Sequence, residues 1–356
     1  MRKAVLTVGL ALSAASGLAS AQGSVTLYGV IDGGFLYASK TANGSDPNSG
    51  LGKQYSMITG GKNPSVFGFT GSEDLGGGTK AEFKLESGFS TVNGGFADCN
   101  GNFFGCQAWV AIDNSRWGVV KTGLQFSPFF LSVYETDARA FSLFGSGVVN
   151  YVDQVLGTGI YTANSISYSS PSIAGFEGSA LFAFGGDPTS FKSGRQYSAS
   201  IKYSNGGFLF NAAFFDGKAG GTANTPVSTN VEFVGKTIGA KYRFGDFTVS
   251  ASVVNYNVAN SFDAYVFGGG VNYLVTPAVN LSAGAWLTRD RNDSNNRSIL
   301  GSVGVDYFLS KRTLLYAQFA AVNNHGTMNT GASVNGALYG TTGTTFASVI
   351  GIKQNF

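Results

Sequence analysis

Apolar and charged residues alternate along residues 79–89, and this is the clearest pattern in the chain. One parity is largely apolar, and the other carries Lys80, Glu82, Lys84 and Glu86. A period of two predicts a β-strand with one charged and one apolar face. In a soluble protein the charged face would meet outside water, whereas in a transmembrane barrel it faces the lumen. A single strand fits both arrangements, so the number of strands and their connections must distinguish a soluble sheet from a transmembrane barrel.

Strand-like segments of similar character recur along the whole chain. The pattern predicts sixteen of them, at 24–37, 54–72, 79–89, 103–113, 116–125, 161–170, 175–184, 195–203, 208–215, 233–244, 247–256, 264–274, 279–288, 298–308, 314–322 and 344–356.

The connections between these strands alternate between short and long. The short ones carry Gly, Pro, Asn or Asp and lie at 73–78, 114–115, 170–174, 204–207, 245–246, 275–278 and 309–313. The long ones are polar and lie at 39–53, 90–102, 126–160, 185–194, 216–232, 257–263, 289–297 and 323–343. Tight turns at one rim and long loops at the other are typical of outer-membrane barrels. We therefore predict an all-β fold, a 16-stranded antiparallel transmembrane β-barrel.

The two ends of this predicted sheet suit closure of the first strand on the last. Val25, Leu27 and Ile31 share one parity at the start, and Phe346, Ile350, Ile352 and Phe356 share one at the end. Pairing of these strands would remove the exposed edges that a lipid environment does not tolerate. No linker or change in composition interrupts the pattern, so one barrel domain over 22–356 is expected.

Composition supports a chain with one face in lipid. Charged residues make up 12% of the chain, about half the usual quarter. Glycine is abundant at 52 residues and proline scarce at 7, and no apolar run after the N-terminal segment reaches the length of a transmembrane helix. The formal net charge of +3 gives no reason to expect a nucleic-acid partner.

The N-terminal segment has the three parts of a secretory signal. Arg2 and Lys3 precede an apolar stretch at 4–12, and small residues lead to Ala21. The apolar stretch is too short for an anchoring helix, which needs about 20 residues. We predict a cleaved signal peptide over 1–21 and a mature N-terminus at Gln22.

Two cysteines, Cys99 and Cys106, lie in a stretch rich in Asn and Gly. In an exported protein they could form a disulfide across this small loop or remain unpaired thiols, because spacing alone does not give geometry. The only histidine is His325, and no Cys/His cluster with metal-ligand spacing occurs. No metal site and no cofactor are expected.

Several segments carry a likeness to one family. These are the opening 24–29, the turn 71–78 (Gly-Ser-Glu-Asp-Leu-Gly-Gly-Gly), 104–108, 164–166, 168–171 and the terminal Phe356. They resemble the general trimeric porins of Gram-negative bacteria in their neisserial and β-proteobacterial form. The resemblance implies a homotrimer in the outer membrane, in contact with its lipid and lipopolysaccharide. It also implies a third loop folded into the lumen as a constriction, and Phe356 as the signal for outer-membrane assembly.

In that scheme the third loop is residues 126–160, the longest connection in the chain. Its charged residues Glu135, Asp137, Arg139 and Asp153 are the candidate constriction residues. The alternative is an ordinary surface loop with solvated charges. Seven aromatic residues in this loop argue against free exposure to water, and they favour a loop packed inside or on the barrel.

The wall opposite this loop departs from the family pattern. Members of the family usually carry arginines there, whereas this chain has Val66, Cys106, Leu124 and Tyr161 at the positions that resemble them, and Thr70 where lysine is common. Lys80, Glu82, Lys84 and Glu86 complete the expected lumen wall, and their charges largely cancel. Since lining charges set the ion preference of a narrow pore, we expect a weakly selective or mildly cation-preferring channel for small polar solutes.

The sequence raises three alternative functions. A substrate-specific channel would suit the many aromatics and the missing arginines, although aromatic girdles explain such residues in any barrel. An outer-membrane barrel enzyme would need a nucleophile and a base, and no motif of that kind occurs beside His325. A secreted β-solenoid would show a fixed repeat, and none is found. We therefore expect a channel and not an enzyme.

Overall fold

The computed structural model describes residues 23–42, 46, 48–49, 51–220 and 231–356. The predicted signal peptide lies outside the described residues, as do parts of the predicted connections 39–53 and 216–232. The strands are β1 Ser24–Thr41, β2 Gly52–Thr59, β3 Val66–Gly76, β4 Thr79–Gly88, β5 Gln107–Asn114, β6 Gly118–Gln125, β7 Thr162–Ser169, β8 Phe176–Ala183, β9 Gln196–Asn205, β10 Phe208–Gly217, β11 Phe233–Phe244, β12 Phe247–Val258, β13 Asp263–Thr276, β14 Val279–Asp290, β15 Arg297–Phe308, β16 Thr313–His325, β17 Thr330–Ser333, β18 Ala337–Tyr339 and β19 Gly343–Asn355. The helices are α1 Pro128–Thr136 and α2 Gly147–Val155.

Sixteen antiparallel strand positions form one closed barrel, as the alternation predicted. Neighbours in sequence pair around the ring, and β1 closes it by pairing with β19 from Val30↔Asn355 to Ala38↔Ala347. One predicted strand, 54–72, is interrupted. Its two parts, β2 and β3, pair with successive halves of β1, and the turn between them folds inward. Closure gives each of the sixteen strand positions a hydrogen-bonded neighbour on both sides, with β2 and β3 together forming one position, and a sheet in lipid requires this.

The two faces of the barrel follow the parity of the sequence. On β1 and β19 the outward positions are large and apolar, and Val25, Leu27, Ile350 and Ile352 are all exposed. The predicted parity of both terminal strands is confirmed. The opposite parity faces inward and carries polar or small residues together with buried apolar ones such as Leu36 and Val349. Neither helix in the described part of the chain is long or apolar enough to span a membrane.

The hydrophobic core of the molecule lies inside the barrel rather than between two sheets. The segment between β6 and β7 enters the lumen, and its buried aromatic and aliphatic side chains pack on the inward faces of β9–β16. A second insertion, the β17–β18 hairpin, packs on α2. Both insertions hydrogen-bond to each other, since Gly145 N donates to the Ala332 oxygen and Val334 N to the Leu143 oxygen.

Candidate functional site

The third loop is held on one side of the lumen by aromatic packing. Phe129 of α1 is fully buried, and its ring centroid lies 6.0–6.3 Å from those of Tyr151, Phe215, Phe233 and Tyr256. Buried aromatic rings of this kind contribute both apolar burial and favourable ring geometry. The loop therefore lies against β10–β12, and the free space remains on the side of β1 and β3–β6.

Polar contacts and small wall residues let α1 approach this wall closely. Ser198 Oγ accepts a hydrogen bond from Phe129 N at 3.0 Å, and Asn211 Nδ2 donates to the Ser132 oxygen at 3.0 Å. A Cβ atom at Gly239 would lie 2.3 Å from Thr136 Oγ1. A side chain there would force the helix off the wall, so glycine sets the distance between helix and sheet.

Asp137 fixes the bend between the two helices. Its Oδ1 accepts from the backbone N–H groups of Arg139 and Phe141, each at 2.8 Å, and its Oδ2 from that of Gly147 at 2.9 Å. Burial raises the pKa of this carboxyl, while the three N–H donors oppose the shift. The structure thus places Asp137 inside the loop, where its oxygens are engaged by the loop backbone.

Arg139 ties the loop to the wall formed by β14–β16. Its guanidinium donates to Ser302 Oγ at 3.0 Å, to Gln318 Oε1 at 2.6 Å and to the carbonyl oxygens of Phe144 and Gly145. Only 3% of the residue is exposed, and burial lowers its pKa to about 10. Its five donors are largely used within the protein, so it offers little free charge to the lumen.

Glu135 and Asp153, the other two predicted constriction residues, are partly exposed. Lys202 Nζ lies 3.5 Å from Glu135 and 2.8 Å from Glu177, which partly neutralises Glu135. Asp153 accepts from Thr330 Oγ1 at 3.3 Å in the β17–β18 hairpin, and burial raises its pKa to about 7. The four loop charges are therefore spread through the loop and do not form one cluster.

The strand register decides which predicted wall residues face the lumen. Val66, Thr70, Glu82 and Lys84 share one parity with Glu86 and Lys80 across the β3–β4 pair. Glu86 Oε2 accepts from the inward Tyr28 hydroxyl at 2.7 Å and lies 3.1 Å from Lys84 Nζ.

Leu124 differs from the expectation for the lumen wall. It pairs with Ala108 and shares the parity of Thr122, opposite Val110, and Val110 is 54% exposed on the outer surface. The inward residues next to it are Gly123 and Gln125. Leu124 therefore faces outward, because the register of β5 and β6 places its side chain on the same face of the sheet as Val110.

Cys99 and Cys106 form a disulfide, with their Cα atoms 4.8 Å apart. Cys106 is buried, and the Cys99 sulfur lies over the inward side of Gly88. The disulfide occupies the wall beside Val66, and it presents no charge there.

Tyr161, Asp98 and Asn335 join three loops beside this disulfide. The Tyr161 hydroxyl donates to the Asp98 carbonyl oxygen, and Asn335 Nδ2 donates to Asp98 Oδ1 at 2.7 Å. Burial and the nearby charge of Asp32 raise the pKa of Asp98 to about 7. Asp98 and Asn335 were not singled out from the sequence, because their loops are brought together only by the closed barrel.

A cavity of about 560 Å³ remains between the third loop and the wall. Val30, Asn63, Pro64, Val66, Glu86, Asp98, Cys99, Phe126, Phe130, Leu131, Tyr134, Phe141, Leu143, Val148, Val152, Leu156, Gly157, Ile160, Tyr161, Val334 and Asn335 line it. Within the described part of the chain, its lining contains two carboxylates and no lysine or arginine. The surface of this cavity is mainly apolar. The described residues contain no group of three His, Cys, Asp or Glu side chains that could hold a metal ion.

Solved structures of outer-membrane proteins share this architecture. An anion-selective porin from Comamonas acidovorans superposes with a TM-score of 0.79 at 23% identity, covering 94% of this chain and 100% of that one. A trimer form of OmpT, an outer membrane protein of Vibrio cholerae, superposes with a TM-score of 0.66 at 15% identity, covering 94% and 99%. At these identities the likeness shows the fold.

Sequence comparison shows the family. The family model described as Gram-negative porin matches residues 7–327. Outer membrane porin protein 32 of Delftia acidovorans is 28% identical over 96% of this chain and 95% of that protein. The major outer membrane protein P.IB of Neisseria gonorrhoeae is 28% identical over 85% and 90%. With its sixteen-position closed barrel and its inward third loop, the chain belongs to the Gram-negative porins of the outer membrane.

Proposed function

We propose that this porin is a passive diffusion channel for small hydrophilic solutes and ions, weakly selective or mildly cation-preferring. The observation that carries the proposal is the lining of the cavity beside the third loop. Among the described residues of this lining, Glu86 and Asp98 are the only charged ones. A narrow pore with low-dielectric walls concentrates the field of such groups. The field there favours cations weakly, because the lining itself holds no basic residue while Lys84, beside the lining, partly neutralises Glu86.

Charges on the neighbouring wall are balanced rather than positive. The inward faces of β4–β6 carry Lys80, Lys84 and Lys121 together with Glu82, Glu86 and Asp113. Lys84 is paired with Glu86, and Lys121 Nζ lies 4.3 Å from the centre of the Trp109 ring. The equal numbers of acidic and basic groups and the Lys84–Glu86 pair support weak selectivity, because charges of opposite sign close together leave a small net field.

The anion selectivity named for the Comamonas porin is the alternative outcome. Three of the four positions that resemble family arginines, Val66, Cys106 and Tyr161, lie at or beside the cavity and carry no charge. Leu124 faces outward, so its identity has no bearing on the lumen. The proposal therefore depends on the loss of positive charge at three wall positions.

The test is the reversal potential of the purified protein in a planar lipid bilayer under a salt gradient. We expect a small potential in the cation-selective direction. Val66→Arg should move it toward anion selectivity, and Val66→Met, which adds bulk without charge, should leave its sign unchanged. Strong chloride preference in the unmodified protein would overturn the proposed selectivity while leaving the porin itself intact.

We further propose a homotrimer embedded in outer-membrane lipid and lipopolysaccharide, with residues 22–356 as the mature barrel after removal of 1–21. The trimer form of a protein with this fold supports the assembly. Conductance should increase in groups of three steps, and the mass of the exported protein should begin at Gln22. We propose no catalytic role, because the relatives are porins. The purified protein is expected not to hydrolyse lipid or peptide.

A further inference from the structure

We propose that the cavity beside the third loop is a binding site for an aromatic solute that carries a positively charged amino group. The inference rests on the proposed channel function, because the solute must enter the lumen. A volume of about 560 Å³ lies within the range of small-molecule sites. The cavity thus has room for a ring, a short alkyl chain and its accompanying water.

The third loop presents an aromatic surface to this cavity. Phe126 contacts Phe130 and Tyr161, with ring centroids 4.9 and 5.9 Å apart, and Tyr134 contacts Phe130 and Phe141 at 6.3 and 5.8 Å. Tyr134 is 45% exposed although it points into the lumen and away from lipid. Large exposed apolar surfaces of this kind mark binding sites.

A purely apolar constriction is also unfavourable for a hydrated ion or sugar, because it offers few hydrogen bonds in return for lost water. A solute with an aromatic ring offsets this cost by packing that ring on the aromatic side chains of the third loop. The apolar lining therefore selects solutes by their carbon skeleton, which a constriction lined with arginines does not do.

The acidic groups at one side of the cavity indicate which polar group a bound solute should carry. Glu86 is already satisfied by Tyr28, Lys84 and Gln107. Asp98 also lines the cavity but differs from Glu86, because its buried Oδ2 has no hydrogen-bond partner among the described residues. An ammonium group placed beside Asp98 would supply both a donor and an opposite charge.

The same charges disfavour other solutes. A ring bearing a carboxylate would meet Asp98 and Glu86 with no basic residue of the described lining to offset the repulsion. A small alkylamine would satisfy the charge but would leave the rings uncovered. Only an aromatic amine uses both features of the cavity.

The experiment measures block of the ion current by 2-phenylethylamine, beside three controls. Ethylamine carries the charge without the ring, 3-phenylpropionate carries the ring with the opposite charge, and glucose carries neither. We expect saturable block by phenylethylamine, with an apparent affinity at least about tenfold higher than for any control. Isothermal titration of the folded protein in detergent supplies a second readout that does not depend on conduction.

Three variants assign the block to this cavity. Asp98→Asn should weaken phenylethylamine about tenfold and leave the weak effect of glucose unchanged. Tyr134→Ala should also weaken the block, whereas Tyr134→Phe, which keeps the ring, should preserve it. Each variant is first checked for heat-modifiable migration, and its block is expressed relative to its own open-channel current.

The outcomes separate this inference from the channel function. Normal conductance without block or binding overturns the site and leaves the diffusion channel in place. Equal block by all four solutes, or block unaffected by Asp98→Asn and Tyr134→Ala, also overturns it. Absence of conductance from folded protein, combined with absence of binding in the titration, overturns the channel function and the site together.

Discussion

Two charged residues of the third loop, Asp137 and Arg139, act on the fold of the loop. Each is buried and has its hydrogen-bonding capacity used by backbone or wall groups. Burying a charge is costly unless it is paired and hydrogen-bonded. The saturation of both groups therefore explains how a polar loop remains ordered inside an otherwise aqueous lumen.

Replacing Asp137 should loosen the loop. Asp137→Ala removes three hydrogen bonds to backbone N–H groups and is expected to destabilise the loop by about 3 kcal/mol. The freed loop should give larger and noisier single-channel currents. Glu135→Gln is the matched control, because it changes a partly exposed neighbour without touching these bonds, and it should keep the unmodified current trace. Quiet currents from Asp137→Ala would contradict the anchoring role.

The selectivity of the channel should depend on pH. Asp98 and Asp153 both have a pKa of about 7 because burial disfavours their charged forms. Each gains a negative charge as the pH rises through that value, while carboxyls with ordinary pKa values near 4 remain ionised. Asp98 faces Asp32, Asn335 and Tyr161, and Asp153 faces Gln154 and Thr330, so neither has a basic partner among these neighbours.

The expected result is a larger cation preference at about pH 8.5 than at about pH 5.5. Reversal potentials measured at both pH values in the same salt gradient check it. Asp98→Asn should reduce the difference, and the double variant with Asp153→Asn should abolish it. A preference for cations that is independent of pH would refute this assignment of the titrating groups.

At the scale of elements, helix α1 and strand β11 meet at a distance that only glycine permits. A Cβ at Gly239 would lie 2.3 Å from Thr136 Oγ1, whereas a Cβ at Gly301 would have no atom within 4 Å. The contrast arises because Gly239 lies under the loop and Gly301 lies on the outer surface of β15.

Gly239→Val should push α1 toward the remaining passage and lower the conductance. Overpacking of this kind costs about 1–3 kcal/mol, which should appear as a lower unfolding temperature. Gly301→Val is the control, since it adds the same side chain to a strand without a clash. Equal conductance of the two variants would show that α1 does not set the width of the passage.

At the scale of the whole molecule, the last residue completes the closure of the barrel. The backbone N–H and carbonyl of Phe356 exchange hydrogen bonds with Gly29, each at 3.1 Å. Its ring covers Gly29, where a Cβ would lie 2.3 Å from Phe356 Cζ. The terminal aromatic therefore packs across the seam between the first and last strands.

Phe356→Ala should slow assembly of the barrel, because the ring that covers the seam is lost. Refolding from denaturant into detergent, followed by heat-modifiable migration on gels, measures the folded fraction over time. Gln354→Ala, a change on the same outward parity of the last strand, should refold at the unmodified rate. Identical refolding of both variants would argue against Phe356 as an assembly signal.

The sequence predicted the barrel well because one physical rule governs every strand. Period-two alternation, short turns and long loops each follow from a sheet with lipid on one side and water on the other. The same rule does not extend to the third loop, whose two short helices escaped prediction. Their stability comes from packing on the barrel wall, as for Phe129, and not from their own periodicity.

The site was only partly accessible from the sequence for a related reason. Residues of the regular β4 strand, such as Lys84 and Glu86, were placed on the lumen side by parity alone. Leu124 was misplaced because its assignment relied on resemblance, while the register of β5 and β6 turns it outward. Asp98 and Asn335 lie 237 positions apart and meet only in the folded protein.

The sequence by itself determined the class of fold, the number of strand positions and the family, since these depend on local alternation and on short matching segments. The tertiary structure decided which loop charges are engaged by other groups, which wall residues face the lumen and which side chains line the apolar cavity beside the third loop. The physical reason is that burial and pairing of a side chain depend on neighbours distant in the chain. The proposed site for aromatic amines is a property of that three-dimensional arrangement.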